Sequence, residues 1–213
     1  MKVRLRRAFM EERSKVYEWL CLSDTAPLHM GLPDYPENPV PSWEDFQQDF
    51  FDGMFVTKMA PPDMVVLGKT AMSGFNGCAQ EMNSPYVCTA DSVWIIEAGQ
   101  QEAGCVCANS FHLLPACAEL DIWMRSKAFC GRGLGAKALG LLVEYLRNEC
   151  GIRRMLIRPS EKNYRAIRAY EKTGFRRVDN KEDTVRSFLL PEFWQQYGDG
   201  DYGLESTAVL VLD

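Results

Sequence analysis

Apolar and polar residues alternate with period two over residues 3–8, where arginines fill the polar positions, and this predicts a first strand. The period then lengthens. Val16, Tyr17, Trp19 and Leu20 recur at helical spacing within residues 11–22. Five prolines in residues 27–41 cannot sustain a helix or an internal ladder, so that stretch is expected to be an ordered loop or extended lid. An amphipathic helix is predicted for residues 43–51, with Ser42 as its N-cap. Residues 68–86, rich in Gly, Ser and Asn, read as a long hairpin tip or loop. Three apolar runs follow, at 92–98, 103–113 and 116–124, the first two joined by a turn at 99–102, which together predict an antiparallel meander. Beyond it the pattern gives a long helix from about Gly133 to Cys150, a strand at 154–158 and a helix at 160–173. A strand from Phe175 and, after a polar turn at 197–203, a last strand at 206–212 complete the chain. The class is α/β (α+β), with a mixed, mostly antiparallel sheet flanked by helices.

With 213 residues, 46% of them hydrophobic, the chain can bury one sizeable core, and its length favours a single domain. A net charge of -5 argues against nucleic-acid binding. That charge is unevenly placed: residues 1–124 carry 8 Lys/Arg against 17 Asp/Glu, and residues 125–213 carry 16 against 12. An acidic half beside a basic half suggests two differently charged ligands, the alternative being an uneven solvated surface. No apolar run approaches the roughly 18 residues a membrane helix needs, and the basic start lacks a signal-peptide core, so a cytoplasmic protein without membrane attachment is expected. Eight scattered cysteines without a Cys-x-x-Cys pair, and two isolated histidines, predict no metal site. Cys105 and Cys107 would share one face of a strand, which reads as packing.

The stretch Phe129-Cys130-Gly131-Arg132-Gly133-Leu134-Gly135-Ala136 lies between a strand and a helix. Glycines let backbone amides approach a ligand closely, and the helix N-terminus adds its positive end, so the segment suits phosphate; a turn built only for tight packing is the alternative. It has neither the Gly-Lys-Ser/Thr ending of a P-loop nor the βαβ context of a dinucleotide fold. About 28 residues later comes Asn163-Tyr164-Arg165-Ala166-Ile167-Arg168-Ala169-Tyr170-Glu171-Lys172, followed by Gly174-Phe175. The two motifs at this spacing resemble the acetyl-CoA-binding core of the GNAT acyltransferase superfamily. Within it, they and Tyr17-Glu18-Trp19-Leu20 look most like the aminoglycoside 6'-N-acetyltransferases. The resemblance covers about residues 119–175.

The resemblance implies a GNAT fold over 1–213, with an acceptor-side half at 1–115 and an acetyl-CoA core at 116–213. Pyrophosphate would rest on the amides of Gly131, Arg132, Gly133, Leu134, Gly135 and Ala136, with Arg132 or Lys137 adding charge. Pantetheine would run as a pseudo-strand beside Trp123, Met124 and Arg125, and Asn163 would contact it or organise its turn. The superfamily commonly has Gln or Arg where this chain has Cys130, so one phosphate contact is in question. Asp121 matches the acidic residue of the antibiotic-modifying enzymes, and Tyr170 matches the tyrosine near the thioester sulfur. Glu119 alternates onto the same strand face as Asp121, so either acid is a candidate proton acceptor, the alternative being a solvated face. Ser160 reads as an N-cap. Direct transfer of acetyl from acetyl-CoA to a cationic small-molecule amine is expected, with no acyl-enzyme and no metal. Other amine acceptors, or a non-catalytic acyl-CoA-binding module, are the competing readings. The last strand is expected at a sheet edge, leaving monomer and homodimer both open.

Overall fold

A computed structural model of the protein describes residues 1–29, 41–56, 66–67 and 91–213. The 68–86 loop, and the 27–41 loop apart from its two ends, lie outside the described residues. Among the described residues eight strands form one sheet: β1 (Val3–Arg7), β2 (Val66–Leu67), β3 (Ser92–Ala98), β4 (Gln101–Asn109), β5 (Cys117–Met124), β6 (Arg154–Ile157), β7 (Arg176–Arg177) and β8 (Leu210–Leu212). Their order is β2-β1-β3-β4-β5-β6-β8-β7. Every neighbouring pair is antiparallel except β5–β6.

Two layers of helices cover the sheet because β5 alternates. Its even-numbered side chains join the core built on α4 (Leu134–Glu149) and α5 (Tyr164–Glu171), while Trp123, with Cys105 and Cys107 of β4, packs under α1 (Arg13–Tyr17) and α3 (Trp43–Asp49). α1 runs into a π turn over Glu18–Leu22, and α2 (Ala26–His29) follows. In α4 the buried stripe Leu134, Ala138, Leu139, Leu142, Val143 and Leu146 follows the helical period; each full-size aliphatic side chain removed from water contributes roughly 1.5–3 kcal/mol. α6 (Lys181–Arg186), α7 (Trp194–Tyr197) and α8 (Gly203–Ser206) are short. None was legible in the hydrophobic pattern, because so few turns leave no stripe.

Several boundaries move from their predicted places for identifiable reasons. The β3–β4 turn is only Gly99-Gln100, with Gly99 at φ +67°, and the remaining length is absorbed by a bulge at Ala103. Next to that bulge β5 approaches so closely that a Cβ on Gly104 would sit 2.2 Å from the Trp123 carbonyl oxygen. Ser42 caps α3, accepting from Asp45 N at 3.1 Å. Ser160 does not cap α5. Residues 159–161 instead pair with 206–208, through Glu161 N to Ser206 O and Ala208 N to Pro159 O, so the helix starts later. Asn163 caps it, its Oδ1 accepting from Ala166 N at 3.2 Å. The last strand is not at an edge, since β8 is inserted between β6 and β7, and Trp94 is fully buried. The strand expected at a sheet edge is therefore interior.

Candidate active site

The site begins where the one parallel pair ends. β5 and β6 are in register only from Cys117↔Arg154 to Glu119↔Leu156, after which β5 continues to Met124 with no strand beside it on that flank among the described residues. Backbone groups alternate sides along a strand. The Arg125 amide donates to Ala103 O of β4 at 2.9 Å, so the peptides of Met124 and Ile122 face the opening wedge. Thr25 Oγ1 donates to the Met124 carbonyl at 2.7 Å, and the N–H groups of Ile122 and Met124 remain directed into the wedge.

Two hollows meet at this wedge, sharing Leu28, Ile122, Asn163 and Tyr170 in their walls. The larger, about 490 Å³, lies between the start of α4 and one face of α5. Gly131 and Gly133 adopt φ of +73° and +72°, and Gly133 is the N-cap of α4, so the first-turn amides of a 16-residue helix point outward unhindered. That turn fits an anion. Arg132 is exposed, its Nη1 reaching Ala128 O at 3.5 Å, and Lys137 Nζ reaches Met1 O at 3.4 Å. Arg125 lies over the Phe129 ring at 4.5 Å. The basic groups in the cleft wall are instead Arg165, Arg168 and Lys172, at i, i+3 and i+7 on α5. Arg165 stands beside the Cys130 thiol and counters the rise that burial gives it, so α5 supplies the cation that Cys130 cannot. Their helical spacing was the available signal in the sequence.

The smaller hollow, about 220 Å³, lies on the other side of β5 and collects Glu119, Asp121 and Trp123 from its odd-numbered face. Phe46, Asp49 and Phe50 of α3 form another wall, and the segment after α7 brings Asp201 and Tyr202. The acids are not equivalent. Burial raises Glu119, but Arg158 and His112 outweigh it and hold the carboxylate at about 2: Arg158 Nε donates to Oε1 at 2.5 Å and Nη2 to Oε2 at 2.8 Å, with His112 Nε2 at 3.0 Å from Oε2. Glu119 is consumed in this pairing. Asp121 lines the hollow with its side chain accessible; the surrounding protein, then the charges of Glu119 and Asp201, push its carboxyl up to about 8 against the pull of Arg158. Burial likewise raises Asp49 and Asp201.

Tyr170, 5% exposed, lines both hollows. Burial, followed by the charge of Asp121, drives its hydroxyl far above the ordinary phenol range, so it stays protonated. Asn163, besides capping α5, donates from Nδ2 to Leu28 O at 3.0 Å and so ties α2 to the junction of the hollows. The arrangement can accept a proton at Asp121, hold one at Tyr170, and seat an anion at the α4 turn. Arg158, Asp201 and Asp49 were not singled out in the sequence, where nothing local marks them.

Comparison with known proteins fits this geometry. The family described as an acetyltransferase (GNAT) domain matches residues 19–176. An "Aminoglycoside N(6')-acetyltransferase type 1" of Klebsiella pneumoniae is 27% identical over 177 residues, 82% of this chain and 74% of that protein. A "Kanamycin resistance protein" of Rhizobium radiobacter is 40% identical over 63 residues, covering 30% of this chain and 58% of the relative. Among solved structures, AAC(6')-Ib in complex with ribostamycin and coenzyme A superposes with a TM-score of 0.58 at 19% identity, over 99% of this chain and 93% of that one. A domain from Methanocaldococcus jannaschii DSM 2661 gives 0.57 at 15% identity, over 99% and 97%. At such identities the superpositions establish the fold.

Proposed function

The chain belongs to the GNAT acetyltransferase family, and from that premise we propose that it moves the acetyl group of acetyl-CoA onto a primary amine of a polycationic aminosugar of the aminoglycoside class. The observation that carries this reading is the clustering of Asp49, Asp121 and Asp201 around one hollow that opens to the anion-suited cleft through Tyr170 and Asn163. A ligand with several ammonium groups matches several carboxylates, and a phosphorylated cosubstrate matches the glycine turn and the basic face of α5. The names borne by the relatives favour the same acceptor class.

Transfer needs a neutral amine, a polarised thioester carbonyl and a protonated leaving sulfur. Asp121, with its carboxyl raised to about 8, is matched to the ammonium whose proton it must take at neutral to mildly alkaline pH. The wedge-facing N–H groups of Ile122 and Met124 stand where an extended pantetheine chain would pair like a strand and where a developing oxyanion would be met. Tyr170 Oη supplies the proton for the departing sulfur. Glu119, held by Arg158, is left out of the transfer.

The test is product mass after incubation with acetyl-CoA and a panel of aminoglycosides, polyamines, lysine derivatives and peptides. An aminoglycoside gaining one acetyl group, with the gain abolished by Asp121→Asn, supports the reading. Acetylation confined to polyamines or peptides replaces the acceptor class, and acetyl-CoA binding without transfer to any amine replaces the enzyme with a binding module.

A further inference from the structure

Arg158 follows β6 at the point where β5 and β6 have parted, and its side chain is 7% exposed. Two of its nitrogens bind Glu119, and the third, Nη1, donates to Tyr197 O at 2.6 Å and reaches Gly198 O at 3.5 Å. The guanidinium is thus the joint between β5, β6 and the segment after α7. Gly200 N donates to Tyr197 O at 3.3 Å, and Thr207 Oγ1 donates to Gly203 O at 2.8 Å, so the turn is closed on itself more than onto the sheet. Aromatic contacts also hold it: the Tyr197 ring lies 4.8 Å from His112 and 5.7 Å from Phe111, and His112 is the second partner of Glu119. Yet this turn carries Asp201 and Tyr202 into the wall of the acceptor hollow.

We propose that Arg158 is the positioning residue of the acceptor site, holding Glu119 and the 197–202 turn in one buried assembly so that Asp201 and Tyr202 stand in the hollow that contains Asp121. The inference rests on the acceptor reading above and deepens it. Most donors of Arg158 are occupied, so it is not a receptor for an anionic acceptor, and both oxygens of Glu119 are occupied, so it is not the proton acceptor its strand position suggested. The physical reason for a buried arginine here is reach. One planar fork can hold a carboxylate on one strand and carbonyls of a distant turn at once, which an ammonium point charge cannot.

The experiment compares wild type with Glu119→Gln, Arg158→Lys and the double variant Arg158→Met with Glu119→Gln, which removes both members of the buried ion pair together and so is better placed to fold than a variant that removes one. Initial rates are measured with the amine acetylated by wild type, alongside hydrogen exchange of the backbone amides at 197–203. The double variant is expected to raise the acceptor KM by about tenfold or more while the acetyl-CoA KM stays within about threefold and kcat falls no further than in Glu119→Gln, as loss of binding without added loss of chemistry requires. Exchange at 197–203 should quicken while that of α4 is unchanged. Arg158→Lys should fall between the two. Glu119→Gln should lower kcat by less than about tenfold, against the hundredfold or more that a lost general base costs. The proposal is overturned if the double variant leaves both the acceptor KM and the exchange at 197–203 unchanged, or if Glu119→Gln alone removes kcat. A wild-type protein that acetylates no amine would refute the acceptor reading instead, and the exchange comparison would then decide the role of Arg158 by itself.

Discussion

Asp121 and Tyr170 are electrostatically coupled across one hollow: the carboxylate's charge adds to burial in holding the Tyr170 hydroxyl protonated. In the proposed transfer, protonation of Asp121 by an incoming ammonium would remove that charge and make the phenol a better acid as the sulfur needs its proton. Tyr170→Phe is therefore expected to lower kcat by about a hundredfold with little change in the acceptor KM, measured by steady-state rates.

The pH profile of kcat/KM should carry the signature of Asp121. A proton acceptor with a carboxyl at about 8 is active when deprotonated, so activity falls as pH drops through about 8. Glu119 is one of the charges that raise it. In Glu119→Gln the acidic limb should shift toward lower pH; a limb that stays in place would place the raising charge elsewhere.

The same carboxyl costs stability when charged. Its folded value is above the ordinary 3.8, so the stability tied to the protonated form is full below the unfolded value and is lost as pH rises through about 8. Asp121→Asn should raise the melting temperature at pH 9 by roughly 2–4 °C, about 1 kcal/mol once its exposure to the hollow is discounted, and leave it nearly unchanged at pH 5. Thermal scans at the two pH values check this.

Gly104→Ala should be among the more damaging single-methyl additions in the sheet. The added Cβ would meet the Trp123 carbonyl oxygen at 2.2 Å and Met124 Cα at 2.7 Å, both backbone atoms unable to turn aside. A loss of about 2–3 kcal/mol in denaturant unfolding is expected, with a raised acetyl-CoA KM as β5 is displaced at the wedge.

Arg165→Met should weaken acetyl-CoA binding several-fold in titration calorimetry while leaving the acceptor KM near wild type, because Arg165 lines only the larger hollow. The weakening should shrink as salt is raised, as expected for a charge-assisted phosphate contact at a cleft mouth. An unchanged affinity would return the anion-holding role to the α4 turn alone.

Local pattern was enough for β5, the glycine turn opening α4 and the body of α5 though not its capped start, because strand alternation, the run of glycines and helical spacing are read within one segment. Those elements carry the family resemblance and place Asp121, Tyr170 and Asn163 in the walls of the hollows. The basic face Arg165, Arg168 and Lys172 has a helical period too, but the sequence reading places the added charge at Arg132 or Lys137. What alternation cannot do is distinguish two acids on one face: Glu119 and Asp121 are equivalent by period two, and the pairing of Glu119 with His112 and with Arg158, 39 residues beyond it, separates a neutralised acid from a raised one. The same holds for Asp201, which the turn after α7 brings into the wall of the smaller hollow beside residues of β5, and for β8, which enters the sheet between β6 and β7 instead of ending it. Charge pairing and strand insertion are decided by which distant segments meet, and no periodicity within a segment encodes that meeting.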